Sequence, residues 1–295
     1  MEFKSKKEPL VSIIVNCHNG EKYLNEALRS IELQTYSNYE VIFLDNCSTD
    51  NSKKIFDQFK NPKFKYYLAP QKSKLYNARN LALNNCVGEI ITFLDVDDLW
   101  KNNKLESQVL EMIKNPEIGL IYSFYEIHNE KKNKQKLIKP NNNKNLKNYL
   151  LKKYDIALVT IAIKYQALKK LNLKFNPNFN IIGDFDLVLR LSNFCKFKLI
   201  KENLCVYRDH EESETSRNYD QLIEEMKIWY ENNKNNEMFS KCSNFNYIKD
   251  KIYYYEGLNF LKKRKFDKFK NNLNKLNNNI YKIKLYIKFI LNKLS

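Results

Sequence analysis

The chain has 295 residues, enough for one sizeable α/β core with a smaller appendage. Its formal net charge of +17 raises nucleic acid and anionic membranes as partners, although an AT-rich coding sequence would give the same wealth of Lys, Asn and Ile. No apolar run is long enough to span a bilayer, and the N-terminal segment is not typical of a signal peptide. The six cysteines lack metal-ligand spacing. We therefore expect a reducing, cytosolic compartment.

Apolar runs of strand length alternate with helical patterns in the first hundred residues. The predicted strands are residues 10–16, 39–45, 63–69 and 89–95, and the predicted helices are residues 19–34, 51–60 and 74–86. This alternation predicts an α/β fold with a mainly parallel, Rossmann-like sheet that has helices on both faces.

Polar residues stand at the ends of three of these strands. They are the segment Asn16 to Asn19, the pair Asp45 and Asn46, and the acidic turn that holds Asp95, Asp97 and Asp98. Ligands of open α/β sheets bind beyond the carboxyl ends of the strands, so the three loops predict one crevice. Crowded carboxylates raise the free energy of the folded protein unless a cation or a hydrogen-bonding ligand binds to them.

The first turn argues against a dinucleotide-binding dehydrogenase. It contains a single glycine, Gly20, and neither G-x-G-x-x-G nor the P-loop pattern occurs in the chain. Without a glycine-rich cradle, the charge of a bound diphosphate must be met by a divalent cation. The Asp-x-Asp turn at Asp95 and Asp97 is a suitable holder for Mn²⁺ or Mg²⁺.

Three segments together carry a resemblance to a known family. The run from Val11 to Ser52, the "ARN" at 78–80 and the "FLDVDD" at 93–98 resemble the N-terminal half of family 2 glycosyltransferases with a GT-A fold. The resemblance is close over residues 9–125 and looser to about residue 218. It implies an inverting transfer of a sugar from a nucleoside diphosphate, with UDP favoured, to a lipid-linked glycan in surface polysaccharide, capsule or lipooligosaccharide assembly.

The same resemblance assigns roles to individual residues. It implies that the nucleotide sugar is bound by these positions: Asn16, His18, Asn19, Asp45, Asn46, Arg79 and Asp95. Asp97 matches the metal ligand, and His210, in "VYRDH", matches a second one. Asn46 stands where many relatives have Asp, which leaves the nucleobase open because an amide both donates and accepts hydrogen bonds.

The segment "IGDFDLVLR" at 182–190 resembles the part of the family that carries the catalytic base. It points to Asp184, with Asp186 as the alternative, because inversion needs a base for the acceptor hydroxyl. Gly183 replaces an acid that often precedes the base. The segment is also compatible with a helix that merely begins with acids, which the helix dipole favours.

The C-terminal part differs in character from the rest, so we expect a catalytic domain at 1–218 and a basic helical tail at 219–295. Residues 251–295 hold twelve Lys or Arg against two acids, a net charge of +10. Two short amphipathic helices are predicted within residues 250–276. The last segment, 280–295, mixes apolar residues with Lys and predicts contact with an anionic membrane at its cytoplasmic face, or a helix docked on its own protein.

A non-catalytic basic protein that binds nucleic acid or anionic lipid on a decayed scaffold remains the alternative function. Nucleic acid is the less favoured partner because the crevice carries several carboxylates. The polar segment 128–145 shows no periodicity and predicts an exposed loop or the tip of a hairpin.

Overall fold

The computed structural model describes residues 8–142, 145–210 and 218–294. The described residues fall into two compact units, of which the first comprises 8–142 and 155–210 and the second comprises 145–154 and 218–294. A short segment from the middle of the sequence therefore groups with the C-terminal residues.

The first unit is built on a mixed sheet of nine strands. The strands are β1 (Val11–Cys17), β2 (Tyr39–Asp45), β3 (Phe64–Leu68), β4 (Ile90–Asp95), β5 (Leu99–Trp100), β6 (Ile118–Asn129), β7 (Lys134–Ile138), β8 (Ala162–Lys164) and β9 (Lys196–Asp209). Their order is β3-β2-β1-β4-β8-β6-β9-β5, and β7 pairs with β6. The four pairs β1/β2, β1/β4, β2/β3 and β6/β9 are parallel and hold most of the paired residues, which confirms the predicted mainly parallel sheet.

Helices follow most of the strands, as the alternating pattern predicts. They are α1 (Leu24–Glu32), α2 (Ser52–Phe56), α3 (Leu75–Leu83), α4 (Lys104–Lys114), α5 (Leu146–Lys152), α6 (Tyr165–Lys169), α7 (Gly183–Leu191), α8 (Tyr219–Asn233), α9 (Glu237–Ser240), α10 (Tyr247–Lys262), α11 (Phe266–Lys275) and α12 (Asn279–Leu294). All seven residues of β1 and of β2 are buried, as expected for strands with both faces covered.

Strand register brings the polar strand ends together. Cys17 lies opposite Asp45 in the β1/β2 pair, and Asn16 lies opposite Asp95 in the β1/β4 pair. Because all three strands run in the same direction, their carboxyl ends meet at one edge of the sheet. β6 and β7 form a hairpin whose tip lies in the polar segment 128–145, with Asn133 in the left-handed region at φ 44°.

The second unit contains α5 and α8 to α12, and one of its apolar clusters joins α10, α11 and α12. Its buried members are Leu258, Leu261, Phe269, Leu273, Leu276 and Leu285. The two predicted helices are therefore present as α10 and α11, of which α11 is the amphipathic one. No helix among the described residues combines the length and the hydropathy that a membrane span requires.

The terminal helix α12 has two different apolar faces. Leu285 is fully buried, and Tyr281 and Phe289 pack against the same cluster, so one face is docked on its own protein. The other face is 53–61% exposed at Ile280, Ile283, Tyr286, Ile287, Ile290 and Leu291. The alternative of a self-docked helix thus accounts for one face and leaves the second uncovered within the described residues.

Candidate active site

The loops that follow β1 and β2 are joined by reciprocal hydrogen bonds. Asn19 has φ 55°, a left-handed conformation that Asn tolerates better than most residues. Its side chain accepts from the backbone N–H of Thr49 at 2.8 Å, and its own N–H donates to Ser48 Oγ at 3.0 Å. Farther along, the N–H of Glu21 donates to Asp50 at 2.9 Å. The two loops therefore form one firmly connected rim.

Asp45 is almost completely buried, with 2% exposure, and both of its carboxylate oxygens are used. One accepts from the N–H of Ser48 at 2.7 Å and the other from the Tyr66 hydroxyl at 2.6 Å. Burial and the neighbouring carboxylate raise the pKa of Tyr66, so its hydroxyl stays protonated and donates. In this arrangement Asp45 fixes the turn after β2.

Asn46 fastens a second loop to the same strand end. Its side-chain oxygen accepts from the N–H of Ser73 at 3.0 Å, and its nitrogen donates to the Ser73 carbonyl at 2.8 Å. The Asn46 carbonyl lies 3.0 Å from Nδ1 of His18, which must donate because a carbonyl only accepts. His18 and Asn46 thus meet at the rim, and the Asn46 amide is engaged by the protein itself.

Asn16 is the opposite case. It is 7% exposed, and within the described residues neither its Oδ1 nor its Nδ2 has a hydrogen-bond partner. A buried amide without partners raises the free energy of the folded state. Asn16 is therefore the residue of the predicted site that most needs an outside partner able to donate and to accept.

Arg79 pairs with Asp95 across the crevice floor. The guanidinium is 2% exposed and donates through Nη2 to Asp95 Oδ1. Burial alone would lower the pKa of Arg79, but the carboxylate outweighs it and the pKa is raised. Arg79 of α3 therefore supplies one positive charge that offsets the carboxylates of the acidic turn.

Asp97 and His210 meet at the end of the same turn although 113 residues separate them. Asp97 Oδ2 lies 2.9 Å from His210 Nε2, and the His210 ring lies 5.0 Å from that of Tyr23 between centroids. A carboxylate oxygen and an imidazole nitrogen suit Mn²⁺. No group of three or more His, Cys, Asp or Glu forms a metal cluster in the described parts of the chain. The pair therefore offers two of the ligand atoms that a divalent cation needs.

Asp98 shows what the crowding of carboxylates does. It is buried and accepts from the N–H of Arg208 at 3.0 Å. Burial, with Asp97 and Asp95 alongside, raises the pKa of Asp98 well above its ordinary value. The acidic turn therefore stores electrostatic free energy, as its sequence indicates.

Asp184 and Asp186 both lie in the first turn of α7 but have different surroundings. Asp186 is buried and accepts two hydrogen bonds from Arg190, at 2.9 and 2.6 Å. Asp184 is half-buried, and its Oδ1 accepts from the N–H of Phe185 at 2.8 Å and lies 3.2 Å from the Tyr76 hydroxyl. The ion pair gives Asp186 a structural task, which favours Asp184 as the base.

Three tyrosines at the site are absent from the sequence-based assignment. Tyr66 holds Asp45, Tyr76 contacts Asp184, and Tyr23 lies against His210 and donates to Glu130 at 2.7 Å. Only Tyr76 carries a local signal, because it stands three residues before Arg79 and shares its helix face. Tyr23 follows Asn19 by four positions, but its partners His210 and Glu130 are distant in sequence. Tyr66 reaches Asp45 from the neighbouring strand β3.

Comparison with known proteins gives a consistent family. A model of the family described as Glycosyl transferase family 2 matches residues 12–183, more than half of the chain. The chain is 34% identical over 166 residues to the UDP-Glc:alpha-D-GlcNAc-diphosphoundecaprenol beta-1,3-glucosyltransferase WfgD of Escherichia coli. This match covers 56% of the chain and 64% of the relative, which is less than two thirds of that protein's length.

Solved structures share the fold at low sequence identity. S. aureus TarS 1–349 in complex with UDP-GlcNAc matches with a TM-score of 0.66 and 16% identity, over 90% of this chain and 79% of that one. The mannosyltransferase PcManGT of Pyrobaculum calidifontis, in complex with GDP-Man and Mn²⁺, matches with a TM-score of 0.60 and 15% identity, over 97% and 88%. At such low sequence identity, the similarity is evidence for a shared fold.

Proposed function

The chain belongs to glycosyl transferase family 2, and on that premise we propose that it is an inverting, metal-dependent glycosyltransferase. Its donor is a nucleoside-diphosphate sugar, with a UDP-hexose or UDP-N-acetylhexosamine favoured. Its acceptor is a hydroxyl of a lipid-linked glycan in the assembly of a surface polysaccharide, capsule or lipooligosaccharide. The observation that carries the proposal is the meeting of Asp97 and His210 beside the Arg79–Asp95 pair, at the carboxyl ends of the parallel strands.

The donor choice rests on two supports. The E. coli relative is named for UDP-Glc, and TarS is seen with UDP-GlcNAc, whereas PcManGT is seen with GDP-Man. The unpartnered amide of Asn16 also suits a ligand that offers a donor and an acceptor, as the ribose and the base of a nucleotide do. We assign the remaining rim residues, His18, Asn19 and Asn46, to the nucleotide side.

Asp97 and His210 would hold Mn²⁺ or Mg²⁺ together with the donor diphosphate. The cation, when bound, supplies Lewis-acid stabilisation of the negative charge that develops on the leaving nucleoside diphosphate. The ion pair with Arg79 holds the Asp95 side chain beside this position. The residues of this corner thus bind and orient the donor rather than attack it.

Asp184 acts as the general base in a single displacement. It takes the proton of the acceptor hydroxyl while that oxygen bonds to the anomeric carbon. The bond from the anomeric carbon to the diphosphate oxygen breaks at the same time, and the nucleoside diphosphate leaves with the electron pair. Attack on the face opposite the leaving group inverts the configuration.

The direct test measures binding and slow hydrolysis of a panel of nucleotide sugars by the full chain, with and without Mn²⁺. We expect one preferred donor, loss of the metal dependence in Asp97→Ala, and retained binding with lost turnover in Asp184→Asn. Glu117→Ala is the matched control because Glu117 is an exposed acid that precedes β6. If no nucleotide sugar binds under any metal, while nucleic acid binds in a salt-sensitive way, the basic binding protein becomes the better reading.

The exposed face of α12 supports a second part of the proposal, which is peripheral attachment to the cytoplasmic face of an anionic membrane. The isoleucines of this face recur at helical spacing, and the exposed Lys284 and Lys288 stand beside them. Apolar area bordered by lysines suits the headgroup region of anionic lipid. Such attachment would bring the enzyme to a lipid-linked acceptor.

Vesicle flotation tests this attachment. We expect the full chain to bind vesicles that contain phosphatidylglycerol, to bind phosphatidylcholine vesicles weakly, and to dissociate as salt is added. The double variant Ile283→Asp and Ile287→Asp should lose binding. Val87→Asp, which changes an exposed apolar residue of the first unit, should keep it. Equal binding by both variants would refute the attachment through α12.

A further inference from the structure

Helix α3 is fastened at several points to the segment that leads into α7. The Asn80 side chain donates to the Phe175 carbonyl at 2.9 Å and accepts from its N–H at 3.0 Å. The N–H of Leu75 donates to Asn180 Oδ1 at 2.9 Å. Because α3 also carries Arg79, one short helix connects the acid at the donor side with the segment that carries the proposed base.

Tyr76 stands at the centre of this connection. It is 3% exposed, and its hydroxyl lies 3.2 Å from Asp184 Oδ1 and 3.4 Å from the carbonyl oxygen of Ile181. The charged acceptor is both the nearer and the stronger one. The guanidinium carbon of Arg79 lies 4.8 Å from the centroid of the Tyr76 ring. A single side chain therefore touches the proposed base and the cation that holds Asp95.

Gly183 completes the arrangement. A Cβ atom at this position would lie 2.3 to 2.6 Å from three atoms of the Tyr76 ring, closer than real Cβ contacts allow. Any other residue at 183 would therefore push the ring away from Asp184. The ring of Tyr76 fills the space that a side chain at position 183 would need, so the packing of each residue depends on the other.

We propose that Tyr76 is a positioning residue for Asp184, whose hydroxyl orients the carboxylate toward the acceptor, and that Gly183 is required to admit the Tyr76 ring. The inference rests on the proposed function for the role of Asp184 as base, but not for the packing of Tyr76 on Gly183. A hydrogen bond to the charged carboxylate favours its ionised form. Tyr76 thus keeps the base both oriented and ready to accept a proton.

The main test replaces Tyr76 by Phe, which keeps the ring and removes the hydroxyl. We expect donor affinity to be unchanged, turnover to fall on the order of tenfold, and the acidic limb of the turnover profile to move to higher pH. Among the described residues, the groups that interact with Asp184 from neighbouring elements include Tyr76 and Arg79 of α3 and Tyr125 of β6. Of these, only the Tyr76 hydroxyl is changed.

Tyr36→Phe is the matched control. Tyr36 is also buried, and its hydroxyl donates to the Pro9 carbonyl at 2.6 Å, away from α7. Its removal should lower the thermal midpoint of unfolding without moving the pH profile. Equal pH profiles for wild type and Tyr76→Phe would overturn the positioning role.

A readout that needs no activity separates this inference from the proposed function. NMR titration of isotope-labelled aspartate carboxyl carbons, with the Asp184 signal assigned by its loss in Asp184→Asn, should show a higher pKa for Asp184 in Tyr76→Phe. If that pKa stays unchanged, the inference fails even when Asp184→Asn abolishes turnover. If the pKa rises while Asp184→Asn keeps turnover, the contact is upheld and the assignment of the base fails.

Thermal unfolding tests whether Gly183 is required to admit the Tyr76 ring. Four proteins are compared: wild type, Gly183→Ala, Tyr76→Ala and the double variant. We expect Gly183→Ala to lower the midpoint clearly in the wild-type background and to have little effect beside Tyr76→Ala, where the ring is gone. Equal effects of Gly183→Ala in both backgrounds would contradict the proposed interdependence.

Discussion

Two corners of the crevice contain the same kinds of residue but use them differently. At the β2 corner, formed by Asp45 and Asn46, every side-chain polar atom bonds to the protein's own loops. At the β4 corner, formed by Asn16, Asp95 and Asp97, the amide of Asn16 has no partner in the described residues. There the Asp95 carboxylate pairs with the guanidinium of Arg79.

The contrast indicates how to decide whether a polar residue at a strand end contacts a ligand. Such a residue contacts a ligand only if its atoms are not already committed to holding the loop. The β2 corner therefore acts on the donor mainly through the shape of the rim, and direct contact of Asp45 and Asn46 with a nucleotide stays a prediction. The β4 corner has the unmet polar capacity that a ligand would satisfy.

The largest effects should separate the two corners completely. Asp97→Ala should reduce turnover on the order of a thousandfold, because it removes an electrostatic stabiliser of the leaving group, and should leave the thermal midpoint unchanged.

Asp45→Ala should lower the free energy of unfolding by about 3 kcal/mol, because Ser48 and Tyr66 lose a buried charged acceptor. Chemical denaturation and turnover measurements on both variants check this, and loss of stability in Asp97→Ala would break the comparison.

A buried cation outside both corners gives the next effect. Lys104 is fully buried and donates to Thr92 and Gln108 at 2.8 and 2.9 Å, and no carboxylate of the described residues pairs with it. Burial lowers the pKa of Lys104 from 10.5 to about 8. Between these two pH values the unfolded chain holds more protons than the folded one, so stability increases as the pH rises through this window.

The Lys104 contribution should reach about 3 kcal/mol across that window. Denaturant unfolding of wild type and Lys104→Met at several pH values measures it, because the difference between the two proteins removes the contributions of other titrating groups. The wild type should gain stability relative to the variant from pH 8 upward. Lys101→Met, at a neighbouring exposed position, serves as the control and should follow the wild type.

At the β2 corner, Asn46→Leu should lower the free energy of unfolding by about 2 kcal/mol. The substitution leaves the N–H and the carbonyl of the partly buried Ser73 without their partner and places an apolar side chain beside them. Denaturant unfolding at neutral pH is the measurement. A neutral outcome would mean that the loop around Ser73 is held by other contacts.

At the β4 corner, Asn16→Leu should have the opposite sign. Removal of an unpartnered buried amide should raise the free energy of unfolding by about 1 kcal/mol. Donor affinity, measured by calorimetry with Mn²⁺ present, should fall by about tenfold because the ligand loses a donor and an acceptor. Destabilisation by Asn16→Leu would show that the amide has a structural task, and the distinction between the corners would fail.

Local pattern was sufficient for much of the first unit. The β-branched run after Leu10 is β1, "YEVIFLD" is β2 at the predicted bounds, and the strand ending in Asp95 is β4. These segments are specified by their own periodicity and by the turn residues that follow. The placement of Asn16, Asp45 and Asp95 at one edge follows because parallel strands share an orientation.

The pairing of the shortest strands was not predictable in the same way. β8 has three residues and pairs antiparallel between β4 and β6, and β5 has two residues on β9. Such short strands have no periodicity to detect. Their pairing is decided by which neighbours the rest of the sheet leaves available.

The sequence by itself determined the α/β class, the loop order around the crevice, the acidic turn and two helices of the tail. These features depend on residues close together in the chain. That Asp97 and His210 belong together was implied by the family resemblance, and the structure brings them together across 113 residues. Only the tertiary structure decided that Tyr76 meets Asp184 across 108 residues, and that Asn46 is engaged while Asn16 has no partner in the described residues. Contacts of that span depend on the packing of all the intervening elements at once, so no single stretch of sequence encodes them.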